Sequence, residues 1–266
     1  MLTFTKMNGA GNDFVMLDNR SGGFSYDSGT IAHLCDRHRG IGADGLIAAE
    51  LPATDSAQLR MRYFNADGGE AEMCGNGARC FSRFGARLLG EEHALRFETL
   101  AGTLTAELRG EQVQLAMSQP HSLALHSELQ AAGHPLTVHF LNTGVPHAVV
   151  FRENLATTDV RTIGAALRFH EHFAPKGTNA NFVQIEAPGR LAIRTYERGV
   201  EDETLACGTG VVASALLHHI LHGAASPIAV RVKGGDTLKV GFEREGEGFR
   251  NVTLLGPADF TFEGRV

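Results

Sequence analysis

A cysteine-centred motif occurs twice in this chain, and that duplication limits the possible folds more than any other feature. Cys74 lies in FNADGGEAEMCGNGARC and Cys207 in YERGVEDETLACGTGVVAS, 133 positions apart in 266 residues. Both copies run from an aromatic-polar start through an acidic, turn-rich stretch. Both then reach Cys-Gly-(Asn/Thr)-Gly at the entrance to an apolar run. Gly11 and Gly144 open short motifs at the same offset of 133, and so do Ala101-Gly102 and Gly234-Gly235 ahead of two strand starts. Three anchor pairs sharing one offset indicate duplication, since chance matches would scatter, and so long a period excludes a solenoid. The expected organisation is two copies of one domain facing each other. The first spans residues 1–118 and the second 119–256, with a junction near Ser118 to Ser122 and the final strand, residues 257–266, open to packing with the first half.

Local patterns fill in each copy. Leu59, Met61 and Tyr63 alternate with Gln58, Arg60 and Arg62, the period of a half-buried strand. Residues 104–108 and 113–117 flank Arg109-Gly110-Glu111 as a hairpin, and residues 238–242 and 252–254 flank a second turn at 245–248. One helix is predicted over residues 75–89, with Ala78, Phe81, Phe84 and Leu88 at helical spacing and Gly90 as the stop. A second runs over residues 208–221 and stops at Gly223. Its apolar residues cover nearly its whole circumference, so it must be buried on all sides. In a half otherwise made of strands, that implies an α+β fold: two pseudo-symmetric domains, each a curled β-sheet or barrel around a central helix.

The position of the two cysteines carries the chemistry. At the start of a helix the first backbone N–H groups are unpaired and the dipole is positive. That field favours thiolate, taking a cysteine from about 8.5 toward roughly 3.5–7.5 in known cases. The N–H groups of Gly75, Asn76, Gly208 and Thr209 can cradle a carboxylate, and the glycines let a ligand come close. Two facing sites of this kind would hold one anionic small molecule between two thiols. Such a site is suited to taking a proton from one face of a carbon and returning one to the other. Cys35 and Cys80 have no repeat partner and read as inert core.

Composition excludes several function classes. The net charge is −6 and no basic run exists, which argues against nucleic acid or an anionic membrane as partner. The N-terminal stretch lacks the apolar core of a secretory signal, and residues 211–221 are too few to span a bilayer. Four cysteines without C-x-x-C spacing fit a reducing compartment, so a cytoplasmic location is expected. Gly40 to Gly45 matches the dinucleotide fingerprint G-x-G-x-x-G, but helix precedes it and no long helix follows, so it reads as a loop. His218 and His222 are four apart without the glutamate of a zinc motif. They read as a helix-end cap, and no metal site is expected.

The motifs GNDF, FNAD-x-x-E-x-x-x-CGNGARC, PHAV, YERG-x(3)-ET-x-ACGTG and a closing GPA together resemble the diaminopimelate epimerase family, over residues 6–264. The resemblance implies inversion of one α-carbon, interconverting LL- and meso-diaminopimelate, with neither pyridoxal phosphate nor metal as cofactor. It implies that Cys74 and Cys207 are the catalytic base and acid. Gly75, Asn76, Gly208 and Thr209 would donate to the carboxylate at the reacting centre. Asn12, Asn65, Asn179, Glu197 and Arg198 would recognise the substrate, chiefly its distal end. His147 and Glu197 would tune the thiols or hold the reacting amine. Two positions depart from the commonest pattern: Gly45 stands where many members have glutamine, and Val145 where many have asparagine. Substrate contacts there would come from water or neighbours. The expected partner is a small-molecule amino acid, with a homodimer as an open assembly. Two other readings stay open: a racemase of another amino acid, as among the proline racemase relatives, and a thiol redox protein. The redox reading fits less well, because redox pairs usually lie close in sequence.

Overall fold

The computed structural model describes residues 1–266, and chain contacts divide them into two units, residues 1–116 with 256–266 and residues 117–255. In the first unit β1 (Thr3–Gly9) and β2 (Asn12–Asp18) form an antiparallel hairpin. Helix α1 (Ser28–Cys35) then crosses to β3 (Gly45–Glu50), which lies parallel to β2, and β4 (Leu59–Asn65) returns antiparallel to β3. A two-residue strand, β5 (Glu70–Ala71), edges β4 before helix α2 (Gly75–Leu89). Strand β6 (Ala94–Thr99) runs parallel to β4, and β7 (Gly102–Arg109) and β8 (Gln112–Ala116) continue antiparallel. The final strand, Asp259–Arg265, pairs antiparallel with β1, Thr3 lying opposite Arg265.

The second unit repeats this succession. Strand β9 (His121–Ala131) stands beside β10 (His134–Asn142) as the final strand stands beside β1. The chain continues through β11 (Pro146–Phe151), α3 (Val160–Arg168), β12 (Asn179–Ala187), β13 (Arg190–Glu197), β14 (Asp202–Thr204) and α4 (Gly208–His222). It closes with β15 (Ile228–Arg231), β16 (Thr237–Glu245) and β17 (Gly248–Pro257). The parallel pairs are again the ones bridged by helices, β11 with β12 and β13 with β15. Even the hairpin turns match. Gly11 and Gly144 sit at φ 100° and 108°, where only glycine avoids a Cβ clash, and each N–H donates at 3.0 Å, to the side chains of Asn8 and Asn142 respectively. The fold is α+β, two units of like construction with a central helix in each.

Each central helix is wrapped by its own strands. Helix α2 touches β1 to β4 and β6 to β8, and α4 touches β10 to β13, β15 and β16. Both helices end on a left-handed glycine, Gly90 and Gly223. Along α4, every residue from Gly210 to Leu217 is buried, and Ser214 is satisfied internally by donating to the Gly210 carbonyl at 2.8 Å. Burying each leucine of such a face contributes about 1.5–3 kcal/mol. No helix is long and apolar enough to cross a membrane.

Helix α2 carries a different load. Arg79, Arg83 and Arg87 recur every four residues and grip the returning chain. Arg79 Nε donates to the Pro257 carbonyl at 3.1 Å, Arg83 Nη1 to the Ala258 carbonyl at 2.6 Å, and Arg87 pairs with Glu263 at 2.7 Å. The Arg87 guanidinium also stacks 4.3 Å from the Phe260 ring.

Some local expectations need correction. The helix before Gly40 ends at Cys35, because Asp36 is extended (ψ 121°) and turns its carboxylate onto the N–H groups of His38 and Arg39. His218 does not cap α4: it is buried, and neither ring nitrogen has a hydrogen-bond partner. The helix end is tied instead by His219, whose Nδ1 donates to the Ala224 carbonyl at 2.7 Å.

Burial holds His139 and His218 below the ordinary histidine range and pushes His147 down to about 3, helped by the nearby positive charge of Arg198. Folded, these rings stay neutral at pH values where the unfolded chain takes up protons. The unfolded state therefore binds more protons below about pH 6.5, and stability is lost as pH falls from there. His147, with the largest shift, contributes up to about 1.4 kcal/mol per pH unit, and His139 and His218 act in the same direction. Urea unfolding between about pH 7 and pH 5 is expected to show this decline, and His218→Phe is expected to flatten it.

Candidate active site

In the first unit the site is built on the start of α2. Cys74 is the N-cap, extended at φ −134° and ψ 122°, and its carbonyl accepts from Ala78 N at 2.7 Å. The Cys74 side chain makes no capping hydrogen bond to the first turn. A Cβ added at Gly75 would meet nothing within 4 Å, whereas one at Gly77 would come within 2.8 Å of Ile47 Cδ1. The first glycine leaves open space beside the helix end; the second lets the helix sit down on β3.

A polar chain fixes Asn76 and Asn12. Arg79, wholly buried, donates to Asn76 Oδ1 at 2.8 Å and to the carbonyls of Gly9 and Gly75. Asn76 Nδ2 donates to Asn12 Oδ1 at 2.6 Å, and Asn12 Nδ2 donates to Asp44 Oδ2 at 2.9 Å. Arg37 clamps both Asp13 and Asp44, and Lys6, itself buried, pairs with Asp13 at 2.9 Å. Burial alone would raise Asp13, but hydrogen bonds from Arg37 and Lys6 bring its carboxyl down to about 2. Asp44 belongs to the G-x-G-x-x-G stretch that the sequence reads as a loop. It is one, and its acidic member orients Asn12.

Asn65 is exposed at the end of β4, opposite Gly45, and its Oδ1 accepts from the Tyr63 hydroxyl at 2.8 Å. The departure at Gly45 has a steric cause. A Cβ there would fall 2.5 Å from the Phe64 carbonyl oxygen and 2.8 Å from the Tyr63 ring. Cys35 and Cys80 are buried core, their thiols pushed up by burial to about 11 and about 12.

The second unit builds its counterpart on the start of α4. Cys207 is the N-cap at φ −124° and ψ 104°, its carbonyl accepts from Val211 N at 3.0 Å, and its side chain likewise makes no capping hydrogen bond. Its sulfur lies 3.6 Å from the Thr209 hydroxyl, and Thr143, buried in the β10–β11 turn, donates to the Thr209 carbonyl at 2.9 Å.

Register brings the remaining candidates to the same end of this sheet. His147 on β11 faces Asn179 on β12, and Glu197 ends β13. Asn179 acts as a strut: its Nδ2 donates to the Pro146 carbonyl and its Oδ1 accepts from Arg198 N, both at 2.9 Å. Glu197 accepts from Thr204 Oγ1 at 2.9 Å, and burial raises its carboxyl above the usual range. The Arg198 guanidinium donates to the Lys176 carbonyl at 3.3 Å and lines a cavity of about 470 Å³ with Asn142, Pro146, Phe173 and Lys176. Val145 supplies no polar side chain; its carbonyl accepts from Thr143 N at 3.2 Å.

Comparison with known proteins decides what kind of chain carries these two half-sites. The family profile for diaminopimelate epimerase matches residues 4–122 and 139–261, covering both units. The chain belongs to the diaminopimelate epimerase family. A diaminopimelate epimerase of Chlorobaculum tepidum is 45% identical over 266 residues, covering 98% of this chain and 99% of the relative. Among solved structures, a phenazine biosynthesis protein of the PhzF family from Bacillus anthracis is similar with a TM-score of 0.75 at 16% identity, covering 100% of this chain and 98% of that one. A probable proline racemase from Agrobacterium radiobacter, with bound carbonate, has a TM-score of 0.71 at 18% identity, covering 100% and 93%. At such identities these two likenesses show the fold alone.

The family's CGTG stretch gains a physical reason here. A Cβ at Gly210 would press directly into Asn181 Oδ1 and lie 3.4 Å from Cys207 Sγ. Gly210→Ala is therefore expected to destabilise the protein by about 1–3 kcal/mol through overpacking. Gly75→Ala, which points into open space, is expected to stay within about 0.5 kcal/mol of wild type. Paired urea titrations measure both.

Proposed function

We propose that this protein is a cofactor-independent epimerase that interconverts LL- and meso-diaminopimelate by proton transfer at Cα between Cys74 and Cys207. The observation that carries this reading is the repeated half-site: a cysteine at an uncapped helix start, followed by Gly-Asn or Gly-Thr, in each of two like units. Inversion needs a base on one face of the carbon and an acid on the other, and the roles exchange with the direction of reaction. One thiolate takes the α-proton while the other thiol delivers its own. The carbanionic intermediate puts charge into the substrate carboxylate, where the N–H groups of Gly75, Asn76, Gly208 and Thr209 would receive it. Asn12, Asn65, Asn179 and Glu197 would position the substrate's polar groups, and His147 would stand beside the second thiol. A cytoplasmic location and a homodimeric assembly go with this reading.

Arg198 supports diaminopimelate over a substrate with one charged end. It lines a cavity beside Lys176, and a planar guanidinium grips a distal carboxylate with two parallel hydrogen bonds. A proline-like substrate gives that cavity no carboxylate to bind.

In D₂O the wild-type protein is expected to exchange deuterium into Cα of LL-diaminopimelate and to leave proline unlabelled. Cys74→Ala and Cys207→Ala should each abolish inversion; substantial turnover by either variant would remove that thiol from the mechanism. Arg198→Lys keeps the charge but loses the fork. Loss of such a contact costs about 1.5–3 kcal/mol, roughly one to two decades in kcat/KM. Alkylation of the thiols by a small reagent should proceed at the wild-type rate in that variant. Unchanged kinetics on diaminopimelate would take Arg198 out of the site.

A further inference from the structure

Asn181 was not singled out by any motif, yet it is the most constrained polar side chain near Cys207. It is wholly buried on β12. Its Oδ1 accepts from the Thr195 hydroxyl at 3.0 Å, and its Nδ2 lies 3.0 Å from the Ala148 carbonyl and 3.2 Å from His147 Nδ1. A carbonyl can only accept, so the amide nitrogen must face Ala148, and the orientation of the amide follows. The second N–H of that nitrogen is then directed at His147 Nδ1. The neighbouring helix closes the arrangement, because Oδ1 fills the space that a side chain at Gly210 would need, next to Cys207 Sγ.

We propose that Asn181 is a positioning residue that fixes His147 as the neutral tautomer protonated on Nε2, making it a hydrogen-bond donor rather than a base. With Nδ1 occupied as an acceptor, the ring's one proton must sit on Nε2. That atom is buried and has no hydrogen-bond partner within the protein. An orphaned buried donor costs free energy unless something meets it, so Nε2–H is a donor held in reserve. Burial and the Arg198 charge oppose protonation of the ring, so His147 stays neutral at working pH. A neutral donor stabilises developing negative charge without taking the proton that the thiols exchange. Asn181, which meets Nδ1, carries no charge, and Arg198 is the charged group that bears on the ring.

The inference rests on the epimerase reading, and its test separates the two. Nitrogen NMR of histidine-labelled protein reports the tautomer directly, with the His147 signal assigned by its loss in His147→Gln. The expected wild-type result is an Nε2–H imidazole that does not titrate between about pH 5 and pH 9. An Nδ1–H tautomer, or a midpoint within that range, would overturn the proposal whatever the activity. Two substitutions then separate tautomer control from packing. Asn181→Leu removes the bias at Nδ1, and Asn181→Asp reverses it by offering an acceptor. Tautomer control predicts that kcat falls in the order Asn, Leu, Asp, by about tenfold or more for Asp, with KM nearly unchanged. It also predicts an Nδ1-protonated signal in the Asp variant. A merely structural role predicts that the isosteric Asp is the milder change and that the signal is unmoved, and that result would refute the assignment. If wild-type protein shows the Nε2–H signal but no exchange at Cα of diaminopimelate, the functional reading fails and the tautomer stands.

Discussion

Each central helix begins on a cysteine whose side chain makes no capping hydrogen bond, and the rest of the structure accommodates that choice. A serine, threonine or aspartate at the N-cap would stabilise a helix by about 1 kcal/mol and would consume an N–H group. Asp27 and Asp159 do this for α1 and α3. Cysteine at 74 and 207 does not. The thiol instead sits at the positive end of the helix. A helix that gives up its cap needs stability from elsewhere, and the sheet curled around it provides that through burial, most completely for α4.

The two half-sites are braced by different chemistry. In the first unit, charge orders the amides: Arg79 below Asn76, and the Lys6, Asp13, Arg37 and Asp44 cluster beyond Asn12. In the second, neutral groups do the same work: Thr143 under Thr209, and Asn181 between His147 and Thr195. A duplicated fold therefore does not impose a duplicated environment on its two cysteines. A base and an acid at the two faces of a carbon have no need of identical surroundings.

Much of the local architecture was legible from the sequence. The bounds of α2 and α4 follow from glycine stops and apolar spacing, which are properties of neighbouring residues. The half-exposed pattern of β4 is likewise written in its alternation. What could not be read is the bracing. Asp44 reaches Asn12 across 32 positions, Asn181 reaches His147 across 34, and Thr143 reaches Thr209 across 66. Such bonds depend on strand register, and register is set by the whole sheet rather than by any local window. The helix that the sequence places before Gly40 stops short of it for a local reason: Asp36 competes for backbone N–H groups and ends α1 at Cys35.

The strand that completes the first unit follows the whole of the second unit in sequence. Asp259–Arg265 lies against β1, and Arg79, Arg83 and Arg87 of α2 are arranged to receive the segment around it. During synthesis β1 must therefore wait until the whole second unit has been made before its edge partner emerges. The second unit, by contrast, is continuous and emerges whole. Until then Arg83 and Arg87 lack the Ala258 carbonyl and the Glu263 carboxylate that they meet in the folded protein, so the first half waits as an unfinished template.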